Sequence, residues 1–165
     1  GVLPASAIGV SMLTIIGQCM GAGYVEDAYK YGKKLLIIAY SSLWVLNIPI
    51  LIFLKPIIGL YGLSVEATNI AWQMLMTHGI CCLFFWPLSF SLPNALRAAN
   101  DGKYTMTVSI ITMWTIRIGL SYILAYTTSF GALSVWIAMM ADWVVRSLFF
   151  GVRFVKGKWK TKKLI

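Results

Sequence analysis

Four ionisable side chains stand inside otherwise apolar stretches of this 165-residue sequence: His78, Arg117, Asp142 and Arg146. In lipid such groups are costly unless paired or wetted, so each is a candidate for proton or cation chemistry. Asp142 and Arg146 lie one helical turn apart and can pair. Arg117 and Asp142 are equally far from the centre of a short uncharged connection, between Ser129 and Phe130. Each then sits roughly 19 Å along its helix from that turn. The expectation is that Asp142 is shared between Arg117 and Arg146. The group is either a structural ion pair holding a hairpin or a proton- or cation-linked site. His78 has no acidic neighbour on its own helix. It is either satisfied by a neighbouring helix or free to titrate near neutral pH.

Proline is the next candidate. Pro49, Pro87 and Pro93 fall within apolar runs. Each lacks an N–H, frees a carbonyl one turn earlier and bends its helix. In lipid the freed carbonyl must be buried in protein or face water. These positions are kinks or cavity walls, and the stretch 67–96, with two of them, is the best cavity candidate. Uncharged polar residues (Gln18, Asn47, Gln73, Asn94) either bond between helices or line a substrate path. Ala5-x-x-x-Gly9 and Gly17-x-x-x-Gly21 permit close helix approach. Cys19, Cys81 and Cys82 show no CxxC spacing and read as small apolar residues. Metal-protease, nucleophile-elbow and Walker signatures are absent, as are paired carboxylates within a run. No enzyme chemistry, metal or other cofactor is expected.

The elements that position these residues follow from composition. Hydrophobic residues make up 59% and charged residues 12%, about half the charge of a soluble domain. Mean hydropathy is +0.80. The expected fold is all-α, a polytopic transmembrane bundle with five spans at about 2–23, 34–56, 68–93, 104–127 and 132–154. Backbone in lipid must bond within its own segment, and no run alternates as a barrel strand would. Cations crowd alternate connections: Lys30, Lys33 and Lys34 in the first; Arg97 and Lys103 in the third; Arg153 to Lys163 at the end. The positive-inside rule puts these in the cytoplasm, with the C-terminus there and residue 1 outside. The net charge of +9 is thus a topology signal rather than a nucleic-acid footprint. Residues 155–165 form a basic cytoplasmic tail with Trp159 as an interfacial anchor. Gly21 and Gly23 stop the first helix. Glu26 and Asp27 open the second, with Glu26 and Lys30 as an i,i+4 pair. A start outside without a signal peptide implies that further spans precede residue 1.

Three stretches carry a resemblance. Gly17-Gln18-x-x-Gly21-Ala22-Gly23, then Ala28 and the lysines, resembles the end of the second helix of a lobe in multidrug and toxic compound extrusion (MATE) transporters. Pro93-Asn94-Ala95-Leu96-Arg97-Ala98-Ala99-Asn100-Asp101-Gly102 resembles that family's "LRAAGD" connection, with Asn100 where Gly is usual. Val135-Trp136-Ile137-Ala138-Met139, Asp142-Trp143, Arg146, Arg153 and Gly157-Lys158-Trp159 resemble the close of bacterial members. The resemblance implies that residues 1–154 are a partial C-terminal lobe, helices eight to twelve of a twelve-helix protein. Gly17, Gln18, Gly21, Gly23, Arg97 and Asp101 would be its structural motif residues.

It further implies antiport of cationic or amphipathic compounds against protons or sodium ions, with two lobes that rock between outward- and inward-open states. Implied partners are a small-molecule substrate, the lipid bilayer and the N-terminal lobe of the same protein, with no nucleic acid. The implied location is a bacterial plasma membrane. Some members carry a carboxylate in the tenth helix. Here 67–96 has no Asp or Glu, and Trp86 stands near the expected place as a candidate cavity-lining residue. The coupling-ion site is therefore expected mostly in the missing lobe. Alternatives are a lipid-linked sugar flippase of the same superfamily, or a non-transporting membrane subunit.

Overall fold

The computed structural model describes residues 1–128 and 132–161. Among them the chain is helical, with no strand. Five helices are long and apolar enough to cross a membrane. In order they are α1 (Leu3–Gly21), α2 (Val25–Ile52), the short α3 (Leu54–Gly59), α4 (Val65–Ala98), α5 (Gly102–Thr127) and α6 (Ala132–Val155). All but α3 are the five expected spans. α2 begins nine residues before the expected edge at 34, because its first turns carry the charged segment through Lys30, Lys33 and Lys34. The centre of the α5–α6 connection, Ser129 and Phe130, lies outside the described residues.

Local chemistry sets the helix ends. α1 closes with Gly23 at φ 81°. The Tyr24 N–H donates to Cys19 O at 2.8 Å and the Gly23 N–H to Met20 O at 3.1 Å, which satisfies two end carbonyls. α4 closes in the same way: Asp101 N–H to Leu96 O at 2.9 Å and Asn100 N–H to Arg97 O at 3.1 Å. Here the left-handed position is Asn100, at φ 59°. Asn tolerates that conformation better than other non-glycine residues, which explains how it can stand for Gly. At its start α4 is capped by Ser64, whose hydroxyl accepts the Ala67 N–H, with Glu66 in the first turn.

Two spans leave α geometry. α4 makes a π-turn at Pro87–Ser91, and α5 is π-helical over Met113–Leu120. Pro87 has no N–H for Leu83 O, and that carbonyl accepts the Trp44 indole N–H at 2.9 Å. The next carbonyl, Phe84 O, accepts the Tyr40 hydroxyl at 2.6 Å. The turn is also pinned from its far side. Ser91 Oγ donates to Ala5 O at 3.0 Å on α1, and Ser89 Oγ to Trp143 O at 2.6 Å on α6. Buried Gly9 lets α1 come close: a β-carbon there would meet Ser91 Cα at 3.2 Å. Ala5-x-x-x-Gly9 is thus a real contact. Gly17 and Gly21 have open space where a side chain would go, so their pair makes no close approach among the described residues.

The core follows α1. Met12, Ile16 and Met20 pack with Ala28 of α2, Leu92, Ala95 and Leu96 of α4, and Phe150 and Phe154 of α6. Much of α2 is apolar and exposed, as at Val45 and Ile52. Only lipid or another apolar helix can cover such a face.

The segment after α6 departs from expectation. Trp159 is 1% exposed, so it is not an interfacial anchor. Gly157, at φ 65°, reverses the chain. Trp159 then stacks on Phe154 (ring centroids 5.4 Å, 10° between planes) and donates its indole N–H to Phe154 O at 3.0 Å. Lys160 reaches Glu26 at 2.9 Å and lies over the Tyr29 ring. Glu26 therefore pairs with the tail and not with Lys30, which instead approaches Asp27 at 3.4 Å.

Candidate functional site

α6 presents two chemically distinct faces in its middle turns. One carries Asp142 and Arg146 toward α5. The Arg146 Nε donates to Asp142 Oδ1 at 2.9 Å and to Thr112 Oγ1 at 3.0 Å, and its Nη2 donates to Ser109 O at 3.2 Å. The two side chains are 12% and 1% exposed. Four-residue spacing on one helix makes the pair, and the α5 hydroxyl and carbonyl fix the guanidinium plane. Asp142 Oδ2, although buried, has no hydrogen-bond partner among the described residues. A buried carboxylate with one free oxygen can take up a proton or a cation.

Arg117 is not part of this group. It makes no ion pair or side-chain hydrogen bond among the described residues. The expectation assumed a uniform α-helical rise from the hairpin. Arg117 lies inside the π-helical stretch of α5, where i→i+5 bonding widens the turn and changes the face that each residue presents. Equal sequence distance from the turn no longer means matching depth and direction.

The other face of α6 turns to α4. The His78 ring sits 5.2 Å from Trp136 and 5.0 Å from Trp143, centroid to centroid. Its Nδ1 is buried without a partner among the described residues. The neighbouring helix therefore supplies aromatic rings rather than a hydrogen bond to that nitrogen. Trp136 Nε1 donates to Met74 O at 3.1 Å, which fixes the upper ring. The series continues from Trp143 to Phe90 (5.6 Å, edge-on) and from Phe90 to Trp86 (5.3 Å, stacked). Aromatic faces of this kind attract organic cations.

The remaining candidates are scattered. Gln73 lines a cavity of about 430 Å³ with Lys55, Thr68, Asn69 and Trp72, between α3 and α4. Pro49 borders a separate, outward groove with Trp44 and Ile48. Pro93 and Pro87 are buried at the π-turn, so these two wall the core of α4 rather than a cavity. Asn47 donates to Gly1 O at 3.1 Å and Leu43 O at 2.9 Å, joining α2 to the chain start. Gln18 is exposed. Among the described residues no three His, Cys, Asp or Glu side chains gather as metal ligands.

One pair escaped sequence reasoning. Arg153 grips Asp101 with both arms of its fork, Nε to Oδ2 at 2.7 Å and Nη2 to Oδ1 at 3.0 Å. It also lies 4.5 Å from the Tyr104 ring centroid. Asp101 is 3% exposed. The pair spans 52 positions, so no periodicity could reveal it. Arg97, the other charged motif residue, is exposed and among the described residues bonds Asn94 Oδ1 alone, at 3.2 Å.

Comparison with known proteins gives one family. A model described as MatE matches residues 1–123. The "Probable multidrug resistance protein NorM" of Thermotoga maritima is 24% identical over 163 residues, covering 99% of this chain and 35% of that protein. The "Uncharacterized transporter YisQ" of Bacillus subtilis is 28% identical over 157 residues, covering 95% of this chain and 34% of that protein. The Bacillus subtilis protein also named "Probable multidrug resistance protein NorM" is 25% identical over 168 residues. The chain spans about a third of the length of these relatives. No solved structure matches.

Proposed function

The chain belongs to the MatE family, and from that premise we propose that the whole protein is a membrane antiporter exporting cationic or amphipathic compounds in exchange for protons or sodium ions. The carrying observation is the family match over residues 1–123, joined by relatives named for multidrug resistance along nearly the whole chain. This chain contributes five spans of one lobe. An N-terminal lobe of the same protein supplies the other half of the cavity and most of the coupling-ion site. The end bearing Lys33, Arg97, Arg153 and Lys160 faces the cytoplasm, which the positive-inside rule supports. The ring series from His78 to Trp86 suits organic cations by its chemistry. Asp142, with its free oxygen, is the protonatable group of this half.

The test uses the full-length protein in proteoliposomes preloaded with a fluorescent organic cation. The expected result is dye movement driven by an imposed pH or sodium gradient. Movement of a lipid-linked sugar with no gradient-driven dye movement would instead favour a flippase of the same superfamily. For the coupling role, Asp142→Asn should lose gradient dependence while the protein stays folded. Full coupling with only a lower melting temperature would reduce Asp142 to a structural part.

A further inference from the structure

A groove of about 450 Å³ runs between the end of α4, the first half of α5 and α6. Its lining includes Arg97, Gly102, Met106, Ile110, Met113 and Arg146. Its floor is a stripe on α5: Met106, Ile110 and Met113 follow one another at helical spacing and are 58%, 47% and 38% exposed. From Gly102 to Met113 the stripe covers about 16 Å, roughly half the thickness of a bilayer's hydrocarbon core. The mouth is cationic, and one side offers a free donor. Arg97 has no carboxylate partner among the described residues, and the nearby Asp101 is taken up by Arg153. Arg146 uses Nε and Nη2 on Asp142, Thr112 and Ser109, and its Nη1 makes no hydrogen bond among the described residues.

We propose that this groove holds an anionic phospholipid. Its phosphate sits at Arg97, its ester oxygens come within reach of Arg146, and one acyl chain lies along Met106, Ile110 and Met113. Charge complementarity selects the occupant. The Arg97 guanidinium, without a carboxylate partner among the described residues, stands beside an apolar channel, repels an organic cation and suits a phosphate joined to a hydrocarbon chain; Arg146, its charge matched by Asp142, adds a free N–H donor. Basic pockets between transmembrane helices take such headgroups. The inference goes beyond the transport reading and does not depend on it.

The experiment is native mass spectrometry of the delipidated full-length protein, titrated separately with phosphatidylglycerol and phosphatidylcholine. The expected result is retention of phosphatidylglycerol over phosphatidylcholine, with Arg97→Gln weakening it about fivefold. Met106→Trp, which fills the groove without touching charge, should weaken it as well. Arg97 is exposed and Met106 faces outward, so both variants should fold, and an unchanged melting temperature checks this. Equal retention of the two lipids overturns the proposal. So does an Arg97→Gln protein that binds phosphatidylglycerol as wild type does. If Arg97→Gln weakens binding but Met106→Trp does not, the groove is overturned as an acyl site and only a headgroup contact remains.

Discussion

Asp142 and Arg146 were readable as a pair because both sit on one helix, four residues apart. The π-helical stretch that removes Arg117 from them has no sequence signature that periodicity can detect. Energetically the pair is a liability as well as a tie. Removing one partner of a buried ion pair costs about 3–5 kcal/mol, whereas replacing both with apolar groups of similar size is often neutral. Arg146→Met should therefore lower the melting temperature sharply, and the double variant Asp142→Leu with Arg146→Met should recover most of the loss. A thermal unfolding series in detergent tests this, and additive losses would contradict it. At Asn100 the expectation is different in kind. Asn100→Ala should be destabilising, because the backbone there is left-handed. Asn100→Val should cost about 1–2 kcal/mol for the same reason, read in the same unfolding series.

For whole elements, the spans were legible because length and uncharged runs report the bilayer directly. Their internal geometry was not. The prolines signalled a freed carbonyl in α4, but which side chain would take it depends on how α2 packs. The structure names Trp44 for Leu83 O. Trp44→Phe should thus cost about 1 kcal/mol by leaving that carbonyl bare. In a Pro87→Ala background, residue 87 can supply its own N–H, and the same Trp44→Phe change should cost less. A double-mutant cycle on melting temperature measures the difference. Equal costs in both backgrounds would show that the indole contributes by packing alone.

In the whole molecule, three segments far apart in sequence meet at one end. Arg153 ties α6 to the α4–α5 connection, and the turn after α6 reaches back to α2. Sequence reading saw the tail as charge with Trp159 as an interfacial anchor, because burial of Trp159 depends on Gly157 turning the chain onto Tyr29 and Phe154. The two parts of that clasp should differ in weight. Trp159→Ala should cost about 3 kcal/mol or more, as large aromatic truncations in a core do. Lys160→Met should cost under about 1 kcal/mol, since Glu26 is largely exposed. A melting comparison in which the lysine change does more harm than the tryptophan change would reverse this order.

The π-turn in α4 also bears on which length changes the helix bundle can absorb. A single π-turn holds one residue more than the α-turn it replaces. Deleting one residue from Pro87–Ser91, such as Leu88, should return that turn to α geometry and leave the helices on either side in phase. Deleting one residue from a straight stretch of the same helix, such as Leu75, rotates all that follows by about 100°. That would turn His78, Ser89 and Ser91 away from α6 and α1. Related sequences that differ in length by one within this span should therefore place the gap at the turn.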